Sequence, residues 1–506
     1  MRRDERDPPP RLIASVLPES SEQARQDIER AAAAGADSVE LRLDASPSDP
    51  PLALLERARR LGLLTIATCR RVSDGGAFAG GERERLSLLE RAGSLADFID
   101  IEADSGALER LTHSMSRARL IASHHDLSGT PADLEPLVRR LRSVPGAALI
   151  KIVTAARDLR DNLTHRNLLR RIRGKNARDL ISFAMGQKGV PSRILALAWG
   201  SAAGYFAASE LRPAAAGQIG LRQAIETFDV GEIGGRTRLF GIVGFPVAHS
   251  LSPAIHNAAF RSTGTDARYL PFEAEKLEEF VPLVRELPLA GFSVTAPHKV
   301  AAARAMDELD GAASAIGAVN TALAREGRLI GFNTDAEGGM APLLRRMPVR
   351  GSRVLLLGAG GAARAFAYGL ADEGARVLIC NRTPESAEDL AHETGAQAVR
   401  RDELAQLSYE ILINATPAGI EDPEELPLSA EAIRGRLVYD LVYRRGEQTR
   451  LLREAAARGI AVLDGREMLL EQALLQFRIW LGPDPPALAR AREAMEQAFG
   501  LASRQD

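Results

Sequence analysis

Of the 65 basic residues in this chain only five are lysine: Lys151, Lys175, Lys188, Lys276 and Lys299. The remainder are arginine. Where charge or solubility alone is required the composition supplies a guanidinium, so each retained amine raises the question of what arginine could not do. An amine can release its proton, attack a carbonyl carbon to form a Schiff base, or pass a proton on; a guanidinium does none of these. Lys175 and Lys276 stand in polar surroundings and read as surface residues. Lys151 lies in the apolar run ALIKIVT and Lys299 in GFSVTAPHK. A lysine inside an apolar strand is costly unless it is used, so these two are the candidates for chemistry.

The elements that must position them follow from the spacing. Between Arg11 and about Arg212, strand-like runs alternate with amphipathic helical stretches: RLIASVL (11–17), SVELRLD (38–44), LLTIATC (63–69), FIDIEA (98–103), RLIASHH (119–125), ALIKIVT (148–154), DLISFAM (179–185) and a weaker eighth near GYFAA (204–208). Helical stretches such as SEQARQDIERAAAAG and LALLERARRLG close on glycine, as helix C-termini often do. Eight βα units in roughly 200 residues predict a small TIM barrel. An open doubly wound sheet fits less well, because no glycine-rich turn follows the first run. Glu40, Arg42, Cys69-Arg70, Glu102, His124-His125 and Lys151 interrupt the apolar pattern at or near strand C-termini. In a barrel those ends share one mouth, where active sites are built.

Residues 213–237 close the barrel and become a glycine-containing linker. A second βα segment starts with RLFGIVG, and a third, after Arg350, contains RVLLLGAGGAARAFAYGLADEGARVLICNRT. There Gly358-Ala359-Gly360-Gly361-Ala362-Ala363 matches G-x-G-x-x-A between a strand and a helix, the context that gives this pattern force. Such glycines let the backbone approach a pyrophosphate, which the helix N-terminus holds. The next strand ends in Asn381-Arg382-Thr383, where an NAD site usually has an acidic residue. A guanidinium there suits a 2′-phosphate, so NADP is expected. A hydride carrier needs an acid or base beside a carbonyl or alcohol, and Lys299 and Asp335 (in GFNTD) are the candidates. Ser250, Ser252, Thr295 and Asn320 supply neutral groups suited to a polyhydroxylated ring, although each serine alone reads as a helix cap or turn residue.

At 506 residues, three or so domains are expected. An apolar content of 45% and charged content of 26% are globular values. The net charge of −2 argues against a nucleic-acid or membrane-surface partner. Cys69 and Cys380 are too few for a disulfide framework, which fits a reducing compartment. No run approaches the roughly 18 apolar residues of a membrane span. MRRDERDPPP lacks the apolar region of a secretory signal, so residues 1–10 are expected to be a disordered tail on a cytoplasmic protein. His124-His125 has no third ligand at suitable spacing, so no metal is expected. The expected boundaries are a barrel at 11–226, a linker at 227–237, a substrate domain at 238–345 and 466–506, and a Rossmann domain at 346–465.

The front half resembles type I 3-dehydroquinate dehydratase over residues 11–225, through ELRLD, TCRRVSDGG, SHHD, LIKI, GVPSR and AAAGQI. The resemblance implies a Schiff base between Lys151 and a substrate ketone, with His125 as base and then acid. It assigns Arg193 and Gln218 to substrate, with Glu40, Arg42 and Arg70 positioning it. Two positions depart from the family: Asp74 replaces a glutamate that orients the histidine, and Ala214 replaces a substrate-binding serine. The back half resembles shikimate dehydrogenase across 239–480, through HSLSPAIHN, SVTAPHK, GAVNT, GFNTD, GAGGAAR, NRT, INATPAG, DLVY and DGREMLLEQA. This implies Lys299 and Asp335 as the catalytic pair. Ser250, Ser252, Thr295, Asn320, Asp335 and Gln472 would meet substrate, with Tyr443 nearby. Gly358, Ala359, Gly360, Gly361, Ala362, Asn381, Arg382, Thr383, Gly465 and Met468 would line the cofactor site. SVT replaces the NVT of many bacterial members, Glu467 replaces a glycine, and Ser386 stands where some members carry a second arginine.

Together the two resemblances imply a fused enzyme, lyase then oxidoreductase, in the plant order. It would convert 3-dehydroquinate to 3-dehydroshikimate and reduce that to shikimate. The rivals are a second half acting on quinate, whose extra hydroxyl needs smaller residues than Ser252 and Thr295, and a non-catalytic quinate- or shikimate-sensing regulator. A regulator could discard Lys151, His125, Lys299 or Asp335, and this chain has all four.

Overall fold

A computed structural model describes residues 11–46, 51–105, 118–172, 179–444 and 448–502, so the expected tail at 1–10 and Lys175 lie outside the described residues. The chain divides into two compact units. One is Met1–Thr237 with Pro271–Glu273, and the other is Arg238–Leu270 with Ala274–Asp506.

The first unit is built on β1 (Leu12–Val16), β2 (Ser38–Arg42), β3 (Leu64–Thr68), β4 (Phe98–Glu102), β5 (Arg119–Asp126), β6 (Ala147–Ala155), β7 (Leu180–Met185) and β8 (Gly204–Ala207). They form one sheet in the order β7-β6-β5-β4-β3-β2-β1-β8. Each ladder is parallel, and β1 pairs with both β2 and β8, so the sheet curls into a barrel. Among the described residues no ladder joins β7 to β8, which leaves one seam. The first helix, Ser21–Ala34, shows why these units form: Ser20 caps its N-terminus by accepting the Gln23 N–H, and Gly35 ends it at φ 93°.

Alternation along the strands decides what enters the barrel. Ile13, Ile66, Phe98, Ile121, Leu149, Val153, Ile181 and Tyr205 belong to one interior cluster. Lys151 lies between Leu149 and Val153 at the same parity, so its side chain must enter the barrel too. The same rule places Asp100 and Glu102 with Phe98, Thr68 and Arg70 with Ile66, and Ser123 and His125 with Ile121. It turns His124 the other way.

His165 shows how this wall accommodates a buried imidazole. Its Nε2 pairs with Thr154 Oγ1 at 2.8 Å and its Nδ1 with Ser182 Oγ at 2.7 Å. Burial lowers its pKa to about 3, and that of His256 in the second unit likewise to about 3. The unfolded chain protonates both near their ordinary pKa of about 6.5, so below that pH the unfolded state binds more protons. Stability should therefore fall as pH drops from 6.5 toward 3. The loss at pH 5 should be about 2 kcal/mol for each histidine. Asp440, raised to about 6 by burial, opposes this between its unfolded pKa and pH 6 but is a single group. Urea midpoints at pH 7.5 and pH 5 test the prediction, and an unchanged midpoint contradicts it.

The second unit carries two sheets. The first comprises β9 (Arg238–Gly244), β10 (Ala267–Glu273), β11 (Leu289–Val294), β12 (Glu308–Leu309), β13 (Thr321–Arg325) and β14 (Arg328–Phe332), in the order β10-β9-β11-β13-β14-β12. It is mixed, with β13 antiparallel to both β11 and β14. The second comprises β15 (Arg353–Leu357), β16 (Arg376–Cys380), β17 (Gln397–Ala398), β18 (Ile411–Asn414), β19 (Leu437–Asp440) and β20 (Ala461–Asp464), in the order β17-β16-β15-β18-β19-β20. All its ladders are parallel. Strand order reverses direction at β15 and β18, where doubly wound sheets open a ligand crevice. No helix among the described residues is long and apolar enough to cross a membrane.

Candidate active sites

Inside the barrel, Lys151 is 3% exposed and its Nζ is ion-paired with Asp100 on β4. Arg70 binds the other Asp100 oxygen at 2.6 Å, Glu102 at 2.8 Å and Ser123 Oγ at 2.9 Å. Burial works against the Asp100 carboxylate, but Arg70 and Lys151 overcome it and hold its pKa well below the usual range. Burial depresses the Lys151 pKa; Asp100 opposes this and Arg70 reinforces it. The amine is thereby brought closer to the neutral form that attacks carbonyls. His125, on the neighbouring strand, has its pKa lowered well below 6.5, first by burial and then by Arg70 and Lys151. Its imidazole is neutral at pH 7, and its buried Nδ1 has no hydrogen-bond partner. That is the state of a waiting base.

Around this pair, Glu40 accepts Ser15 Oγ at 2.7 Å and Thr68 Oγ1 at 2.8 Å, and Gln218 Nε2 donates to the same Ser15 oxygen at 3.2 Å. Arg42 is engaged bidentately by Asp44 and reaches the Ala214 carbonyl at 3.3 Å. Arg193 lies over the Phe183 ring at 4.8 Å, and its guanidinium makes no ion pair among the described residues. Asp74 is placed differently from the expected histidine-orienting role. It binds Arg71 Nε at 2.8 Å and Ser73 Oγ at 2.7 Å, and makes no hydrogen bond to His125. Its side chain is one methylene shorter than the family's glutamate.

In the second unit, Lys299 opens the helix Lys299–Ala305 and Asp335 opens the helix Asp335–Arg346. Lys299 Nζ donates to Asp335 Oδ2 at 2.6 Å, and Asn320 Nδ2 donates to Asp335 Oδ1 at 2.8 Å. The same amide reaches Gln472 Oε1 at 3.2 Å, so four of the expected residues form one cluster. Ser250 Oγ accepts the Ser252 N–H at 3.2 Å, a turn role alongside any other. Gly244 lies so close to Thr295 that a Cβ there would stand 2.2 Å from its Cγ2. Tyr443 is half-buried against the apolar core that includes Phe240 and Trp480.

The glycine turn fits a dinucleotide. Gly358 has φ 111°, and a Cβ on it would stand 2.9 Å from the Ala415 carbonyl oxygen. Gly360 precedes the helix Gly361–Asp372 with open space at its Cα, so backbone N–H groups there are accessible to a phosphate. A Cβ at Gly361 would stand 2.7 Å from Lys299 Cβ, so this turn abuts the catalytic candidate. Ala359 and Ala362 flank the turn half-buried. Asn381 Nδ2 holds the Thr383 carbonyl at 3.1 Å, while Arg382 is exposed with no partner among the described residues. Gly465 packs against Leu441, whose oxygen would lie 2.3 Å from a Cβ. Met468 is 6% exposed, in the apolar core cluster with Phe366 and Tyr439.

Four family models match in series: type I 3-dehydroquinase over residues 12–240, the shikimate dehydrogenase substrate binding domain over 242–322, shikimate/quinate 5-dehydrogenase over 344–420, and the shikimate 5′-dehydrogenase C-terminal domain over 465–498. The chain is 35% identical over 508 residues to the chloroplastic bifunctional 3-dehydroquinate dehydratase/shikimate dehydrogenase of Arabidopsis thaliana, covering 94% of this chain and 83% of that one. It belongs to the bifunctional dehydroquinate dehydratase/shikimate dehydrogenase family. Over the second unit it is 46% identical to the NADP(+) shikimate dehydrogenase of Methanothermobacter thermautotrophicus, covering 50% of this chain and 94% of that one. It is 44% identical to the Thermococcus kodakarensis enzyme of the same name, covering 49% and 93%. Sequence reasoning did not single out Asp100 and Tyr205, which the fold brings against Lys151 Nζ. The signal for Asp100 was present, since it shares the parity of Glu102 in FIDIE. Among the described residues no group of three or more His, Cys, Asp or Glu could hold a metal ion.

Proposed function

We propose that this chain dehydrates 3-dehydroquinate in the barrel and reduces the resulting 3-dehydroshikimate to shikimate in its second unit. The observation that carries the first step is a buried, pKa-lowered Lys151 whose barrel-facing neighbour is a neutral His125. The neutral amine attacks the ketone carbon. The carbinolamine takes up a proton and loses water, leaving a protonated iminium. His125 removes the proton from the adjacent carbon, the electrons settling into an enamine. The neighbouring hydroxyl then leaves as water with the proton from His125. Water adds back across the iminium carbon and frees the lysine. Arg193, without an ionised partner, supports binding of the substrate carboxylate, and Glu40, Arg42, Arg70 and Gln218 frame the ring.

For the second step, NADPH supplies the hydride when bound. Lys299 and Asp335 hold the proton that the carbonyl oxygen needs, while Asn320, Gln472, Ser250, Ser252, Thr295 and Tyr443 frame the substrate. The open Gly360 corner and the unpaired Arg382 support a pyrophosphate and a 2′-phosphate respectively. Arg382→Ala is expected to raise the KM for NADPH roughly tenfold or more, the effect of losing a charged hydrogen bond, with little change for NADH. Equal change for both cofactors removes the 2′-phosphate role. We assign the barrel to 11–226, the substrate domain to 238–345 and 466–506, and the cofactor domain to 346–465. The two cysteines, buried and free, support a cytoplasmic setting.

Borohydride reduction in the presence of 3-dehydroquinate, followed by peptide mapping, tests the dehydratase reading. A stable adduct on Lys151 is expected. Labelling of another lysine, or none, overturns it.

A further inference from the structure

Tyr205 sits on β8, the strand that pairs with β1, and shares the interior cluster with Leu149 and Val153 of the Lys151 strand. It is 5% exposed, and the Lys151 Nζ lies over its ring, 4.3 Å from the centroid. Phe183 supports the ring from the side, with centroids 6.1 Å apart and planes at 43°. The Tyr205 hydroxyl is buried and has no hydrogen-bond partner. A buried phenol without a partner is a cost to the fold, so the hydroxyl does not explain why the ring is here. The ring face does.

We propose that the Tyr205 ring is a further active-site element, an aromatic face that holds the positive charge on the Lys151 nitrogen whenever that nitrogen is cationic, as resting ammonium and as protonated iminium. This inference rests on the Schiff-base reading. An ammonium has three N–H donors, whereas a protonated iminium has one. When Nζ condenses with the ketone it therefore loses most of its means of pairing with Asp100. Attraction to the negative face of an aromatic ring needs no N–H, only a nearby cation. It persists as ammonium becomes iminium, and it acts between two buried side chains, where such contacts are strongest. Asp100 and Tyr205 thus have different tasks. The carboxylate serves the resting ammonium best, and the ring serves the cation whichever form it takes.

The ring and the hydroxyl make opposite predictions, and substitution separates them. Tyr205→Phe keeps the face and removes the orphaned hydroxyl; it should retain wild-type dehydratase kcat and be at least as stable as wild type. Tyr205→Leu removes the face. It should lower kcat roughly tenfold or more, and lower the fraction of enzyme trapped on Lys151 by borohydride during turnover. Pentafluorophenylalanine at 205 keeps the ring's shape but reverses the charge on its face, so it should behave as the leucine variant does. That comparison holds even if Tyr205→Leu fails to fold. A folded Tyr205→Phe enzyme as impaired as Tyr205→Leu overturns the inference, because the hydroxyl would then be the active part. So does a pentafluoro variant with normal kcat and normal trapping. If wild-type enzyme gives no Lys151 adduct, the Schiff-base reading falls and this inference with it. If wild type traps normally and the pentafluoro variant does too, only the role of the ring falls.

Discussion

Replacing Lys151 by arginine is expected to lower dehydratase turnover by on the order of 10⁴-fold or more, while the same chain continues to reduce 3-dehydroshikimate at its normal rate. Arginine keeps the positive charge and can still pair with Asp100, which lies within ion-pairing reach of the present amine. Its guanidinium does not deprotonate and does not add to a ketone. The substitution therefore removes the nucleophile and little else. Assaying both reactions on one preparation, with borohydride trapping as a third readout, separates this outcome from misfolding. A Lys151→Arg enzyme that still dehydrates 3-dehydroquinate at a rate near wild type would remove the covalent mechanism.

The second large effect is expected at Lys299. Its ammonium lies 2.6 Å from Asp335, whose carboxylate is fully buried. Lys299→Ala takes away the proton source and leaves Asp335 without a cation, with the Asn320 amide among its remaining donors. Loss of a positioned acid or base typically costs 10²–10⁴-fold, so dehydrogenase kcat should fall by about that much. NADPH binding, followed by cofactor fluorescence, should change little, because the Lys299 atoms nearest Gly361 belong to its aliphatic stem. Dehydratase activity should be untouched. Full reductase turnover in Lys299→Ala would dismiss Lys299 from the chemistry.

The fold was legible where the sequence repeats a simple rule. All eight barrel strands expected from the apolar runs are present, including the weak eighth at Gly204–Ala207. The glycine turn was equally clear, because it sits between a strand and a helix and Gly358 requires a left-handed φ of 111°. What escaped was pairing across strands. Asp100 is a short acidic residue in an apolar run, and nothing local says that Arg70, just past the end of the neighbouring strand β3, will meet it at 2.6 Å. Tyr205 reads as an ordinary core aromatic, and only its position over Lys151 distinguishes it. A motif puts Met468 by the cofactor, and the helix Gly465–Leu481 packs its side chain into the core cluster, a burial that the motif alone does not reveal. The Asp74 contact with Arg71 shows the same limit, since the sequence does not say which neighbour a carboxylate reaches.

The guanidinium of Arg193, without an ion pair among the described residues, has a consequence beyond catalysis. It is 3% exposed, its Nε has no partner, and burial brings its pKa down to about 10. The barrel thus holds a buried positive charge compensated by the Phe183 ring face and the Ala216 carbonyl at 3.4 Å rather than by a carboxylate, which weakens the folded state. An occupant bearing an anionic head repays that deficit, and by mass action the native population grows with its concentration. The metabolite pool would then set the thermal endurance of the barrel as well as its flux, and a starved protein would be the more perishable one.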